Sequence, residues 1–197
     1  MNLFFTSSII LSLVSFLLGL LVYLKDRKNG LNKAWFAFST FLASWSIILY
    51  FVTSADTEHT ALAWQYILDI EAIAIPIAYF YFIAAFLRKK VSRSFTSIVG
   101  LIAIFLAFFS TTSLFKIGVV KKFTFFWIDP GPYYFIFPVL FLSLIFYTLT
   151  LLLLAYFHAE GDTHRQSEIK YQLIGGTLGF SGGGVSLLPQ LFNVFPF

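Results

Sequence analysis

The sequence predicts an all-α fold, a polytopic bundle of membrane-spanning helices. Three observations predict it: 59% of the 197 residues are hydrophobic, only 11% are charged, and the apolar residues form six long runs. So few polar side chains cannot cover a water-soluble globule, and a helix needs about 20 apolar residues to cross the hydrocarbon core. The lipid bilayer is therefore the first predicted partner. Nucleic acid is not predicted, because the basic residues form short clusters beside apolar runs.

The six runs predict six helices, and only the fourth and fifth are separated by a long connection. The first run has no basic residue before it and no small-residue cleavage site, so we expect a membrane anchor rather than a signal peptide. The long connection, about residues 116–134, combines the strand-like "FTFFW" with the turn residues "PGP" and predicts a short hairpin or lid. The predicted helices cover about residues 3–24, 34–54, 61–87, 95–115, 135–157 and 171–191 of a single transmembrane domain, 1–197.

The basic residues predict the orientation. Ten of the 13 lysine and arginine residues lie in or beside the first, third and fifth connections. Cytoplasmic loops retain positive charge, so the amino terminus and the 116–134 lid are predicted to lie outside the plasma membrane. With six helices the carboxyl terminus, "FNVFPF", also lies outside, and it has the composition of a loop. We therefore expect a truncated chain that lacks at least one further helix.

Two carboxylates, Asp69 and Glu71, interrupt the third predicted helix. An ionised acid at the bilayer centre costs about 2.5 to 3.5 kcal/mol, so each acid needs compensation. The six predicted spans contain no Lys, Arg or His, and only Lys116, Lys121 or Lys122 could reach in from outside. The sequence therefore favours a proton, water or a bound ligand over an ion pair.

Helix geometry places the two acids on opposite sides, because residues two apart are separated by about 200°. They are therefore not a catalytic dyad. Gln65, Asp69 and Pro76 share one face, and Trp64 and Glu71 share the other, so we expect a central helix that Pro76 bends. The sequence predicts an outward-facing polar cavity, with Gln65, Asp69, Glu71 and Trp64 as candidates for sensing a ligand or proton. In the alternative interpretation, both acids are protonated or hydrogen-bonded structural residues.

Four lid residues are candidates to cover this cavity. They are one tryptophan, one aspartate and two tyrosines beside the Pro-Gly-Pro turn: Trp127, Asp129, Tyr133 and Tyr134. In a compatible interpretation the three aromatic residues form an interfacial belt at the level of the lipid headgroups.

The sixth run contains Gly175, Gly179 and Gly183 at a spacing of four residues, which predicts a stripe for close helix packing. The neighbouring "GFSG" resembles the serine motif of rhomboid proteases, but the required histidine base is missing, because all three histidines lie in predicted loops. Without cysteine, thiolate metal sites and cysteine nucleophiles are excluded. We expect no catalytic residue, no metal site and no cofactor.

Four stretches carry a resemblance to a known family: "KAWFAFSTFLASWSIILYFVTSA", "ALAWQYILDIEAIAIPIAYFYFIAAFLRK", "FWIDPGPYYFIFPVLF" and "RQSEIKYQLIGGTLGFSGGGVSLLPQL". Together they cover most of residues 34–191. The chain resembles the N-terminal seven-helix sensor region of bacterial and archaeal histidine kinases and diguanylate cyclases. The resemblance implies a non-catalytic input domain that senses an external or membrane-borne ligand, a cytoplasmic output domain beyond a seventh helix, and a homodimer.

The sequence leaves two functions open. The first is this sensory input module, in which an unknown small ligand or a proton acts at the polar cavity. The alternative is a small transporter or channel that uses Asp69 and Glu71 as a proton or cation relay, for which pH-dependent flux is expected.

Overall fold

The structure, a computed structural model, describes residues 3–122 and 125–185. Within these residues six helices form the bundle, and a two-stranded sheet fills the connection between the fourth and fifth. The elements in chain order are α1 (Leu3–Lys25), α2 (Gly30–Thr53), α3 (Glu58–Phe86), α4 (Arg93–Phe109), β1 (Lys116–Lys122), β2 (Phe125–Pro130), α5 (Ile136–His158) and α6 (Thr163–Val185).

Polar capping residues set the start of three helices. The side chains of Asn29, Thr57 and Ser92 accept hydrogen bonds from first-turn amides of α2, α3 and α4, at 2.9, 3.2 and 3.1 Å. Each cap satisfies one of the amides that a helix start leaves without a partner inside the helix. The helix starts therefore follow from short polar segments between the apolar runs.

Four of the described helices, α1, α2, α3 and α5, are long and apolar enough to cross a membrane. The prediction of six helices is confirmed, whereas six spans stay a prediction. α4 has 17 residues and ends at Phe109, earlier than the predicted 95–115, because the hydroxyls of Ser110, Thr111 and Thr112 bond back to carbonyls of its last turn. α6 begins with a polar segment at Thr163, and residues 186–191 of the predicted sixth run lie outside the described residues.

α3 is the central element of the bundle. It contacts α2, α4, α5 and both strands, while α1 packs against α2. Neighbours therefore flank α3 on both sides, as its two acids predicted. Pro76 lies buried within α3, which continues as one helix to Phe86; the bend at Pro76 stays a prediction.

The strands pair antiparallel, from Lys116 opposite Pro130 to Lys122 opposite Phe125. The base of this hairpin is closed tightly at Gly131, whose amide donates to the Phe115 carbonyl at 2.8 Å. A Cβ atom on Gly131 would lie 2.5 Å from the Leu114 carbonyl oxygen, so only glycine fits without a shift of the backbone. The outer location of the hairpin stays a prediction.

The predicted glycine stripe has open space beside it among the described residues. A Cβ atom built on Gly175, Gly179 or Gly183 would meet nothing within 4 Å. The close approach occurs one residue away, where a Cβ on Gly176 would collide with the Tyr79 hydroxyl of α3. The predicted role of the stripe in close packing with another helix stays a prediction.

Candidate functional site

The candidate site is an ion pair between α3 and the hairpin. The ammonium group of Lys116, the first residue of β1, contacts Oδ2 of Asp69 in α3. Both residues are buried, with 7% of Asp69 and 3% of Lys116 exposed. Breaking such a pair by removing one partner leaves an uncompensated buried charge, so the contact ties the hairpin firmly to the helix.

Further side chains from α3 complete the surroundings of the pair. Nε2 of Gln65, one turn before Asp69, donates to Oδ1 at 2.8 Å, so each carboxylate oxygen of Asp69 has a donor. The ammonium group also lies 3.9 Å from the ring centroid of Tyr66, at cation–π distance. Burial lowers the pKa of the Lys116 ammonium group, and the carboxylate of Asp69 partly offsets this.

Tyr134, two residues before α5, adds a buried phenol to the site. It is 3% exposed and belongs to an apolar cluster with Phe115 and Phe137. Burial raises the pKa of its phenol well above the ordinary range, and the Asp69 carboxylate raises it further. The phenol is therefore neutral at physiological pH and adds no charge to the pair of Lys116 and Asp69.

Local folding explains why Lys116 reaches α3. The preceding Phe115 is 1% exposed and packs edge-on against Tyr134, with ring centroids 5.1 Å apart. The amide of Lys116 donates to the Thr112 carbonyl at 3.1 Å, and the carbonyl of Phe115 accepts the hydrogen bond from the Gly131 amide. The buried Phe115 and the closed base of the hairpin at Gly131 thus direct the Lys116 side chain toward α3.

Glu71 has different surroundings on the opposite face of α3. Its Oε1 accepts a hydrogen bond of 2.9 Å from the hydroxyl of Ser44 in α2. Its Oε2 is buried and has no hydrogen-bond partner among the described residues. The residue as a whole is half-buried. A hydroxyl donor is therefore the only compensation that the described part of the chain supplies to Glu71.

The other predicted site residues are spread over several environments. Trp64 stacks on Phe51 of α2 with ring centroids 4.6 Å apart, in an apolar cluster rather than beside an acid. Trp127 is buried, and its indole nitrogen has no hydrogen-bond partner among the described residues. Asp129 is half-buried and Tyr133 is 48% exposed, so these two lie at the surface of the hairpin.

One sequence-based expectation about the acids needs correction. The preference for a proton, water or ligand over an ion pair was wrong at Asp69, because Lys116 reaches in from the lid. The two acids also have separate partners, because Asp69 contacts Gln65 and Lys116 while Glu71 binds Ser44 of α2, and the single polar cavity stays a prediction. Lys116 was one of three lysines that the sequence allowed to reach in from outside, and it is the one that pairs with Asp69.

A second polar contact, which the sequence did not predict, lies at the other end of α3. Nη2 of Arg165 in α6 donates to the carbonyl of Phe86 at 2.8 Å, and its guanidinium carbon lies 4.4 Å from the Phe86 ring centroid. Nη1 donates to Glu168 at 2.8 Å. The arginine thus caps the last turn of α3, where helix carbonyls lack partners. Phe86 lies about 25 Å along the helix from Asp69.

The described residues contain no cluster of three or more His, Asp or Glu side chains that could hold a metal ion. The arrangement links α3 physically to two neighbouring elements. α3 is joined to the hairpin by a charge pair at Asp69 and to α6 by a guanidinium at Phe86, so a shift of either neighbour bears on the same helix.

Comparison with known proteins identifies the family. Residues 7–197 match the model of the N-terminal 7TM region of histidine kinase. Comparison with curated proteins gave no match, and comparison with solved structures also gave none. The matched family is a sensor input region and not a catalytic domain. Together with the apolar helices, this match shows that the chain is a membrane protein of the histidine kinase N-terminal seven-transmembrane family.

Proposed function

We propose that this chain is the membrane-embedded sensory input domain of a signal-transduction protein, and that the hairpin is its receiving element. The observation that carries the proposal is the buried contact between Lys116 and Asp69. Through it, a ligand or a change at the hairpin acts on the central helix of the bundle. A ligand shifts such an equilibrium only if it binds the two arrangements with different affinity.

The exposed rim of the hairpin is the proposed place of ligand contact. Tyr133 and the half-buried Asp129 lie at its surface, whereas Trp127 and Tyr134 anchor it from below. Asp69 and Gln65 then act as receivers of the movement rather than as ligand contacts. Glu71 and Trp64, which face α2, are proposed to hold α3 against that helix.

The proposed route inward runs along α3. Because Arg165 binds the carbonyl of Phe86, an axial shift or rotation of α3 displaces the first turns of α6. In the proposed orientation the amino terminus and hairpin face outward at the plasma membrane, and the contact between Phe86 and Arg165 lies at the cytoplasmic side. The clustering of basic residues beside that side supports this topology. The proposed recipient of this signal is a cytoplasmic output domain. The proposed assembly is a homodimer.

The test uses a full-length histidine kinase that carries this region, assayed in membranes. Asp69→Asn removes the negative charge from the pair, and we expect basal autophosphorylation to change by at least about fivefold, the lower range for coupled sites. The matched control is Asp56→Asn, because Asp56 is exposed in the connection between α2 and α3. Unchanged autophosphorylation in a variant that still inserts would contradict the proposal.

A transport function predicts a different result. Asp69 and Glu71 lie on opposite faces of α3 with separate partners, which does not favour a continuous proton relay. Proteoliposomes containing the chain are expected to show no pH-dependent proton or cation flux. Flux that Asp69→Asn abolishes would support the transporter instead.

A further inference from the structure

An apolar groove lies between α2 and α4, with α3 between them. Its volume is about 440 Å³, and all of its lining side chains are uncharged. Small residues make the space: Ala37 on α2, Ala74 and Ala78 on α3, and Ala103 and Ala107 on α4 all line it. This groove is separate from the ion pair, because neither Asp69 nor Lys116 contributes to its lining.

The dimensions of the groove fit one lipid chain. Its volume falls within the range of about 300 to 1,000 Å³ that is typical of small-molecule sites. Along α3 the lining runs from Ile70 to Tyr81, twelve residues, which is about 16 Å of helix. Half of the hydrocarbon core is about 15 Å thick, so the groove matches the depth of a single leaflet.

The charges at one end indicate which leaflet and which headgroup. Lys33 precedes Ala37 by one turn on the same face of α2, and Arg93 lies on the α4 stripe that leads through Gly100 to Ala103. Both cations are exposed. The acid of the α1–α2 connection, Asp26, already accepts a hydrogen bond from the Lys28 amide at 2.9 Å. An exposed cation therefore lies beyond one end of the groove on each of its two outer helices.

We propose that this groove binds an anionic phospholipid of the cytoplasmic leaflet, with one acyl chain against the alanines and the headgroup phosphate between Lys33 and Arg93. The apolar lining excludes a charged occupant along its length, and the two cations complement a negative headgroup. Because α3 forms part of the groove, occupancy acts on the same helix that carries the ion pair. This site goes beyond the proposed sensing at the hairpin and makes the domain responsive to lipid composition.

The experiment uses the full chain in phosphatidylcholine nanodiscs with spin-labelled phosphatidylglycerol or spin-labelled phosphatidylcholine as the probe. We expect motional restriction of the anionic probe in preference to the zwitterionic one. Ala74→Leu and Ala103→Leu fill the groove from two different helices and are expected to weaken binding of the anionic probe about tenfold. Leu101→Phe, which adds bulk at a residue of α4 that is 68% exposed, is the control.

The headgroup contact is tested by charge. Lys33→Gln and Arg93→Gln are each expected to reduce the preference for the anionic probe about fivefold, the effect of one cation near an anionic surface. Lys170→Gln removes an exposed cation from α6 and is expected to leave the preference unchanged.

Several results would overturn the proposal. Equal restriction of both probes by the unsubstituted chain would exclude a site for anionic lipid, whatever the variants do. Retention of the preference in either folded alanine variant would exclude the groove as its location. If a second copy of the chain fills the groove, Ala74→Leu would dissociate a dimer without changing lipid preference. None of these outcomes depends on the effect of Asp69→Asn on kinase output.

Discussion

The two acids of α3 lie two residues apart and yet have opposite environments. Asp69 is buried beside a lysine from a different element, with a glutamine completing its hydrogen bonds. Glu71 is half-buried and receives one hydroxyl donor from α2. The same chemical group in the same helix is therefore fixed by charge on one face and by a neutral hydrogen bond on the other.

This difference shows what each face of α3 can do. A charge pair that is buried is sensitive to loss of either partner, since the remaining charge stays in a medium of low polarity. A neutral hydrogen bond at a half-buried acid is worth less, and water can replace it. The hairpin face is therefore the one on which a small displacement has a large energetic consequence, and the α2 face is the tolerant one.

The largest expected effect breaks the pair from the hairpin side. Lys116→Met leaves Asp69 buried without a cation, and we expect the free energy of unfolding to fall by about 3 to 5 kcal/mol. The double variant Asp69→Leu with Lys116→Met removes both charges and is expected to recover most of this loss. Denaturant unfolding in detergent measures both. Lys121→Met, at an exposed residue of the same strand, is the control. A double variant no more stable than the single one would argue against an ion pair.

An intermediate loss of stability is expected from a change at Gly131, which closes the base of the hairpin beside Lys116. Gly131→Ala places a Cβ atom 2.5 Å from a backbone carbonyl oxygen, and the shift that relieves this collision is expected to cost about 1 to 3 kcal/mol. Gly118→Ala is the matched control, because its Cβ would only reach ordinary contact at 3.8 Å from Glu58. Thermal unfolding of the two variants should separate them. Equal stability would mean that the closed turn does not hold Lys116.

The smallest effect is expected on the face of Glu71. Ser44→Ala removes the hydroxyl donor to Oε1, and the expected loss is about 0.5 to 1.5 kcal/mol, the usual contribution of one hydrogen bond. Ser167→Ala, whose hydroxyl binds a carbonyl of its own helix, serves as the control for serine removal. The same unfolding assay applies. A loss as large as that of Lys116→Met would show that the two faces of α3 are equally constrained.

Much of the helical fold could be predicted from the sequence, because apolar runs of helical length have few alternatives in a bilayer. The opposite directions of Asp69 and Glu71 also followed from helical geometry. The early end of α4 could not be predicted, because the three hydroxyl residues after Phe109 can either continue a helix or terminate it. The choice depends on where the following strand leads.

The ion pair between Asp69 and Lys116 could not be predicted from the sequence. Lys116 lies 47 residues from Asp69, and two further lysines in the same strand had an equal claim by composition. The burial of Phe115 and the closure at Gly131 decide which lysine points inward, and both are tertiary features. Gly176 illustrates the same limit, because a rotation of about 100° separates it from the predicted stripe.

The central claim is that the charge on Asp69 holds the hairpin against α3, while Glu71 does not. Hydrogen–deuterium exchange of the chain in lipid nanodiscs, followed over the amides of β1 and β2, tests this claim most directly. The account predicts faster exchange across the hairpin in Asp69→Asn and unchanged exchange in Glu71→Gln. The same exchange rates in both variants and in the unsubstituted chain would contradict it.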